Sequence, residues 1–159
     1  MTATEQLAIH NTFVIERNFP QRLARVFSFF SQPALKRRWY VESDHEILDF
    51  HMDFRTGGIE RFRYRFNQGH PIAGSEIANE SVYQDVVDDK RIVMTSRMSL
   101  NGKPIVVMLA TFEFVPTETG TDLILTHQAT YIDWPDGVKM IEEGWRSLIE
   151  RFASEVASQ

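Results

Sequence analysis

Apolar and polar residues alternate near the start of the chain, in the pattern of a β-strand that buries one face. The alternation runs from residue 9 to residue 18 and continues into the next residue. Its apolar members are Ile9, Phe13, Ile15 and Phe19. Because side chains on a strand alternate between its two faces, this spacing predicts a half-buried first strand. Residues 1–8 before it are predicted to be a flexible N-terminus.

Two short helices are predicted after this strand. Pro20 suits the first turn of a helix, and apolar residues recur at helical spacing from there to Ser31. The apolar side of this helix comprises Leu23, Val26, Phe27 and Phe30. A second helix or turn is predicted over residues 34–39, after Pro33. Its basic residues Lys36, Arg37 and Arg38 are interpreted as a solvated face.

A hairpin is predicted from residue 47 to residue 66, with its turn at Thr56-Gly57-Gly58. The apolar face of its first strand comprises Leu48, Phe50, Met52 and Phe54, and that of its second strand Phe62, Tyr64 and Phe66. The opposite faces carry acidic residues on one strand and arginines on the other. We therefore predict a solvent-exposed charge ladder with Asp49 opposite Arg65 and Asp53 opposite Arg61.

Four more strands and a long helix are predicted in the second half of the chain. The strands span about residues 75–86, 91–100, 104–115 and 121–131, and Asn101-Gly102 is typical of a type I′ hairpin turn. The hydrophobic period then changes to that of a helix. The stripe of this helix comprises Val138, Ile141, Trp145, Leu148, Ile149, Phe152 and Val156. Helical spacing also predicts ion pairs between Glu142 and Arg146 and between Arg151 and Glu155.

Composition narrows the possible classes of protein. The 159 residues are 43% hydrophobic and 25% charged, which is typical of one globular domain, here residues 9–159. The net charge of −5 disfavours a protein that binds nucleic acid by neutralising phosphates. The longest apolar run, 105–110, is far shorter than a membrane-spanning helix, and the N-terminus carries no secretory signal, so the cytoplasm is expected. The absence of cysteine excludes disulfides and thiolate chemistry.

Several short motifs occur in order along nearly the whole chain. They are Phe27 with Pro33, Leu35, Trp39 and Tyr40; Asp53-Phe54-Arg55-Thr56-Gly57-Gly58; Gly120-Thr121-Asp122-Leu123 followed by Thr126-His127; and Glu143-Gly144-Trp145. Together with the order of predicted elements, they resemble the START-like or SRPBCC superfamily, which has the helix-grip fold of the birch-pollen allergen. Within it, the chain is most similar to the C-terminal-domain family of the activator of the 90-kDa heat-shock protein ATPase.

The resemblance implies an α+β helix-grip fold, in which a curved antiparallel sheet of about seven strands wraps around the long C-terminal helix. It also implies a cavity between sheet and helix that suits apolar ligands. Eight residues on the inferred inward faces and on the helix stripe are candidates for its wall. They are Phe54, Phe62, Tyr64, Met98, Phe112, His127, Trp145 and Ile149.

Three functions remain open from the sequence. The first is non-catalytic binding of an apolar small molecule, and the second is interaction with a 90-kDa heat-shock chaperone in a stress response. The third is an enzyme of the superfamily, such as a cyclase acting on a hydrophobic substrate. Catalysis is less expected than binding, because His127 has no partner nucleophile at a recognisable spacing. No cofactor is expected, and both a monomer and a homodimer are compatible with the sequence.

Residues 44–53 are rich in aspartate, glutamate and histidine, the side chains that bind many metal ions. However, Asp49, His51 and Asp53 share the predicted exposed face of the hairpin, opposite arginines. We therefore interpret the segment as a solvated charge ladder and predict no metal site.

Overall fold

Within residues 7–158, seven strands form one antiparallel sheet, which three α-helices and a π-helical turn accompany. The structure is a computed structural model and describes residues 7–158. Its elements are β1 (Ala8–Phe19), α1 (Leu23–Ser31), α2 (Pro33–Lys36), a π-helical turn (Arg37–Val41), β2 (Glu46–Met52), β3 (Ile59–Arg65), β4 (Glu76–Val87), β5 (Arg91–Leu100), β6 (Lys103–Pro116), β7 (Thr121–Ile132) and α3 (Gly137–Ala157). The predicted α+β helix-grip fold is confirmed.

The strand order in the sheet is β1-β7-β6-β5-β4-β3-β2. Strands β2 to β7 follow one another as antiparallel neighbours, and β1 pairs with β7 from Ala8 opposite Ile132 to Phe19 opposite Thr121. The predicted turn between β5 and β6 has positive φ angles of 49° at Asn101 and 85° at Gly102, as a type I′ turn requires. Local turn chemistry therefore sets this hairpin.

The first strand begins at Ala8, one residue before the predicted start of the alternation. Just before it, Leu7 donates its backbone N–H to Asp133 Oδ1 over 3.0 Å, and the Asp133 N–H donates to the Leu7 carbonyl over 2.8 Å. Of the N-terminal segment predicted to be flexible, residues 1–6 lie outside the described residues. No helix within residues 7–158 is both long and apolar enough to cross a membrane.

The core is rich in aromatic rings where α1, the π-helical turn and α3 meet. Phe152 of α3 is fully buried, and so is Trp39 of the π-helical turn. The indole N–H of Trp39 donates to the Phe29 carbonyl over 2.8 Å, so this buried polar group is paired. The helix α1 begins at Leu23 rather than in the turn at Pro20.

The charge ladder lies on the exposed side of the hairpin, but the predicted pairing is wrong. A register shift between Ile47 and Asp49 places Asp49 opposite Arg63. The ion pair of Asp49 is diagonal, with Arg61 Nε 3.2 Å from its Oδ2. The chain has left β2 at Asp53, which pairs with Arg55 at 2.9 Å. The other arginines of β3 pair with Glu46 and Glu76.

One of the two ion pairs predicted on α3 forms. Arg146 lies 2.9 Å from Glu142, as expected from their helical spacing. The prediction of an ion pair between Arg151 and Glu155 is wrong, because both side chains contact the segment around the π-helical turn instead. Glu155 pairs with Arg38 at 2.9 Å, and Arg151 donates to the Glu42 carbonyl.

Candidate functional site

A cavity of about 330 Å³ lies between the sheet and α3. The sheet contributes Glu60, Phe62, Tyr64, Asn79, Met94, Ser96, Met98, Met108, Ala110 and Phe112. The helix α3 contributes Met140, Ile141, Gly144, Trp145, Leu148 and Arg151. The remaining wall residues are Phe30, Lys36, Trp39, Tyr40, Val41, Glu42, Ser43 and His45. The sheet, the helix α3 and residues between Phe30 and His45 therefore border the same space.

The sheet wall follows from the period of two along its strands. On β6, the inward positions that reach the cavity are Met108, Ala110 and Phe112, and the small Ala110 leaves room between two large neighbours. Solvent reaches the opposite side of the cavity, where Met140 of α3 is 56% exposed and Gly144 is also exposed. The mouth therefore lies beside the N-terminal half of α3.

The π-helical turn supplies the end wall. The Glu42 N–H donates to the Arg37 carbonyl over 3.0 Å, which is the five-residue spacing of a π-helix. This geometry follows α2 directly, and the two elements together bring Lys36 and Tyr40 to the cavity. Turns of this kind occur frequently at functional sites.

A buried ion pair lies in this end wall. Lys36 Nζ is 2.5 Å from Glu60 Oε1, and the Tyr83 hydroxyl donates to the same oxygen over 2.5 Å. Only 5% of Lys36 and 2% of Glu60 is exposed. The Lys36 ammonium also lies 4.7 Å from the centre of the Tyr40 ring, a cation–π contact. A buried charge of either sign is tolerated because the opposite charge and a hydroxyl satisfy it.

The prediction that Lys36 lies on a solvated face is wrong. The helix α2 ends at Lys36, and the π-helical turn packs that side of the chain toward β3. A sequence signal for its partner existed, since Glu60 occupies the same strand face as Phe62 and Tyr64. An acidic residue on an apolar strand face indicates a buried partner, but the pattern does not reveal which cation it is.

Burial controls the protonation of the tyrosines around the pair. Desolvation, and then the charge of Glu60, raise the pKa values of Tyr40 and Tyr83 far above the ordinary value for a phenol. Burial also raises the pKa of Tyr64. All three phenols therefore stay protonated at neutral pH, and the Tyr83 hydroxyl donates its hydrogen bond to Glu60.

His127 lies on the inward face of β7, beside the cavity but outside its wall. Its ring stacks on Phe13 with centroids 4.6 Å apart, and its Nε2 is 3.2 Å from the Met108 sulfur. Its Nδ1 is buried and has no hydrogen-bond partner among residues 7–158. Burial lowers the pKa of His127 to about 4, so the imidazole is neutral at neutral pH. Met108 separates this ring from the cavity.

The structure brings five of the eight candidate residues to the cavity wall. They are Phe62, Tyr64, Met98, Phe112 and Trp145. Phe54 lies outside the wall because β2 has ended before it, and its ring packs edge-on against Phe27 and Tyr83. His127 lies behind Met108. Ile149 is buried on the side of α3 that faces β1, near Ile15.

The part of the chain that the structure describes contains no preformed metal-binding site. No group of three or more His, Asp or Glu side chains there is arranged to hold an ion. His51, in the segment that resembles a ligand set, is exposed and lies opposite Arg61. The cavity wall is mainly aromatic and methionine-rich instead.

Comparison with known proteins identifies the family. A family model described as Activator of Hsp90 ATPase homolog 1-like protein matches residues 21–157. The chain belongs to this family. The resemblance predicted from the short motifs is therefore confirmed, and the match includes every element that encloses the cavity. No curated protein matches the chain.

Solved structures share the whole fold of this family member. The Mll3558 protein from Rhizobium loti is 40% identical, with a TM-score of 0.85 over 94% of this chain and 99% of that one. A putative uncharacterized protein from Rhizobium leguminosarum is 29% identical, with a TM-score of 0.85 over 95% and 97%. Protein CV1439 from Chromobacterium violaceum is 23% identical, with a TM-score of 0.76 over 94% and 99%, and shows the fold alone.

Proposed function

We propose that this protein binds an apolar small molecule, without catalysis, in the cavity between the sheet and α3. The observation that carries the proposal is a cavity of about 330 Å³ between the sheet and α3, lined largely by aromatic and methionine side chains. Small-molecule sites are typically concave, mainly apolar and of about 300–1,000 Å³. The cavity has these properties.

Methionine makes the wall adaptable. Four of the chain's six methionines line the cavity: Met94, Met98, Met108 and Met140. Their unbranched and polarisable side chains fit ligands of irregular shape better than branched side chains do. At about 25 cal/mol per Å², burial of about 300 Å² of apolar ligand surface contributes about 7.5 kcal/mol before the cost of immobilisation. This gross contribution corresponds to a dissociation constant of about 3 μM as the tightest limit, and the cost of immobilisation weakens binding from there.

Binding fits the polar groups of the site better than catalysis does. The phenols are held protonated, Glu60 is already paired with Lys36, and His127 does not line the cavity. A general base must lie within hydrogen-bonding distance of the substrate proton that it removes. Of these groups, only the carboxylate of Glu60 is a base that lines the cavity, and Lys36 holds it in an ion pair.

The position of Gly144 allows a matched test. A Cβ added there meets no heavy atom within 4 Å, and the residue lies on the cavity wall at the mouth. Gly144→Phe is expected to occupy the mouth, whereas Gly144→Ala adds a single methyl group. We expect displacement titrations with the neutral fluorescent probe N-phenyl-1-naphthylamine to show at least about tenfold weaker binding by Gly144→Phe. Gly144→Ala should bind the probe as the wild type does.

Circular dichroism and thermal melting would establish that all three proteins are folded. Equal probe binding by three folded proteins would contradict the proposal. Absence of binding by the wild type would contradict it as well.

The family description supports a second candidate, interaction with a 90-kDa heat-shock chaperone through the exposed surface. This function predicts that purified wild-type protein stimulates the chaperone ATPase. Gly144→Phe should stimulate it equally, because the substitution lies at the cavity mouth. Stimulation that is lost together with probe binding would instead connect the two activities.

A further inference from the structure

We propose that the end wall of the cavity selects ligands that carry a hydroxyl group, which hydrogen bonds to Glu60 and Lys36 together. This inference rests on the proposed function, since it concerns the ligand of the same cavity. It defines the ligand as an apolar body with a neutral hydroxyl head. The apolar body faces the methionine and aromatic walls, and the head reaches the buried ion pair.

The ion pair leaves hydrogen-bonding capacity on both of its partners. Glu60 Oε1 accepts from the Lys36 ammonium and from the Tyr83 hydroxyl, both over 2.5 Å. Glu60 Oε2 has no hydrogen-bond partner among residues 7–158, although a carboxylate oxygen is a strong acceptor. An ammonium has three N–H donors, and Lys36 uses one of them for Glu60. Both residues line the cavity.

A hydroxyl group matches this pair because it donates and accepts at the same time. Its O–H can donate to Glu60 Oε2 while its oxygen accepts from Lys36. An ether or a ketone accepts only, and it leaves the carboxylate oxygen unpaired. Hydrogen bonds to charged groups are stronger than those between neutral groups, so the loss of one of them is costly in a buried site.

Charge argues against an ionic head. Lys36 and Glu60 already neutralise each other in a buried position. A carboxylate on the ligand would compete with Glu60 for the ammonium, and an ammonium on the ligand would compete with Lys36 for the carboxylate. Either would add an uncompensated charge to a poorly solvated site, which is unfavourable. The network therefore favours a neutral polar group.

Four ligands of similar size test the inference on the wild-type protein alone. They are 2-naphthol, naphthalene, 2-methoxynaphthalene and 2-naphthoate, each titrated against bound N-phenyl-1-naphthylamine. We expect 2-naphthol to bind about tenfold more tightly than naphthalene and 2-methoxynaphthalene, and 2-naphthoate to bind more weakly than 2-naphthol. The methoxy compound separates donation from acceptance, because it keeps the oxygen and lacks the proton.

A double variant tests which residues produce the preference. Lys36→Met with Glu60→Leu replaces the ion pair by apolar side chains, so that neither charge is left alone. We expect it to bind naphthalene at least as tightly as the wild type does and to lose the preference for 2-naphthol. Arg61→Ala is the matched control, since it removes an exposed charge from the other face of β3, and it should keep the preference.

The outcomes separate this inference from the proposed function. Equal binding of 2-naphthol and naphthalene by the wild type would overturn the hydroxyl preference and leave apolar binding intact. Tighter binding of 2-naphthoate, or a preference that survives in the folded double variant, would also overturn it. Failure of the wild type to bind the probe and all four ligands would overturn the proposed function itself. If the double variant does not fold, the comparison of 2-naphthol with 2-methoxynaphthalene on the wild type decides.

Discussion

The two halves of α3 belong to one apolar stripe but meet different surroundings. In the C-terminal half, Phe152 is fully buried and its ring lies close to four other aromatic rings. Their centroids are 5.1 Å away for Phe19, 6.2 Å for Phe29, 5.1 Å for Phe30 and 5.1 Å for Trp39. In the N-terminal half, Trp145 is half-buried beside the cavity, and Met140 is exposed at its mouth.

The difference arises from the elements that face each half. Rings from β1, α1 and the π-helical turn fill the space against the C-terminal half. The N-terminal half faces the sheet, and the ring of Trp145 is 5.7 Å from Phe112 and 6.4 Å from His127. A continuous hydrophobic stripe on a helix therefore shows which side is turned inward. It does not show whether that side is packed or lines a space.

The largest effect is expected from alanine substitutions that compare the stability contributed by the two halves of α3. Phe152→Ala should lower the free energy of unfolding by about 3–5 kcal/mol, because it leaves a cavity in a packed aromatic cluster. Trp145→Ala should lower it by only about 1–2 kcal/mol, because part of the indole surface already faces an open space. Urea denaturation followed by far-ultraviolet circular dichroism would measure both. Equal losses would show that the two halves are packed alike.

A pH titration of stability tests whether water is excluded from His127, whose ring lies near Trp145 in the N-terminal half of α3. An unfolded histidine titrates near pH 6.5, whereas burial lowers the pKa of His127 to about 4 in the folded protein. Between these two values the unfolded state binds a proton that the folded state does not bind. The contribution of His127 to stability is therefore complete above pH 6.5 and is lost as the pH falls toward 4, by roughly 3 kcal/mol.

The measurement is the difference in unfolding free energy between the wild type and His127→Leu at several pH values. Carboxylates titrate in both proteins, so the difference isolates the histidine. We expect the wild type to lose more stability than the variant between pH 7 and pH 4. Parallel losses would mean that water reaches the ring of His127.

Glycine substitutions within α3 sharpen the comparison with a smaller effect. Gly144→Ala should raise the free energy of unfolding by about 1 kcal/mol, because alanine favours a helix and the added methyl group meets no atom within 4 Å. Gly137→Ala is the contrasting variant, since its Cβ would lie 2.5 Å from the Trp134 ring. We expect it to lower the melting temperature. Destabilisation by Gly144→Ala would show that the cavity mouth is filled.

The smallest effect is expected on the exposed face of the sheet, away from both halves of α3. Arg61→Ala removes an exposed ion pair in which the Arg61 Nε is 3.2 Å from Asp49. Such pairs contribute about 0–1 kcal/mol, since water already solvates both charges. The denaturation midpoint should barely change. A loss of several kcal/mol would mean that the ladder is a structural part of the hairpin.

Local patterns in the sequence were sufficient for the order of the seven strands and for the helices α1 and α3. The bounds predicted for β5, residues 91–100, agree with the structure, and the stripe of α3 is the side that faces inward. The turn at Asn101-Gly102 also follows from residue type alone. These features depend on periods of two or 3.6 residues and on backbone preferences, which neighbouring residues express by themselves.

Tertiary structure decided the cavity and its polar end. Five wall residues were predictable because they lie on inward faces, but Phe54 and Ile149 share those periodicities and pack elsewhere. The pairing of Lys36 with Glu60 joins α2 to β3 through a π-helical turn that no local pattern predicts. The sequence determines which side of each element turns inward, because that choice depends on local amphipathicity. Only packing distances between elements decide whether a space remains and which buried charges meet across it.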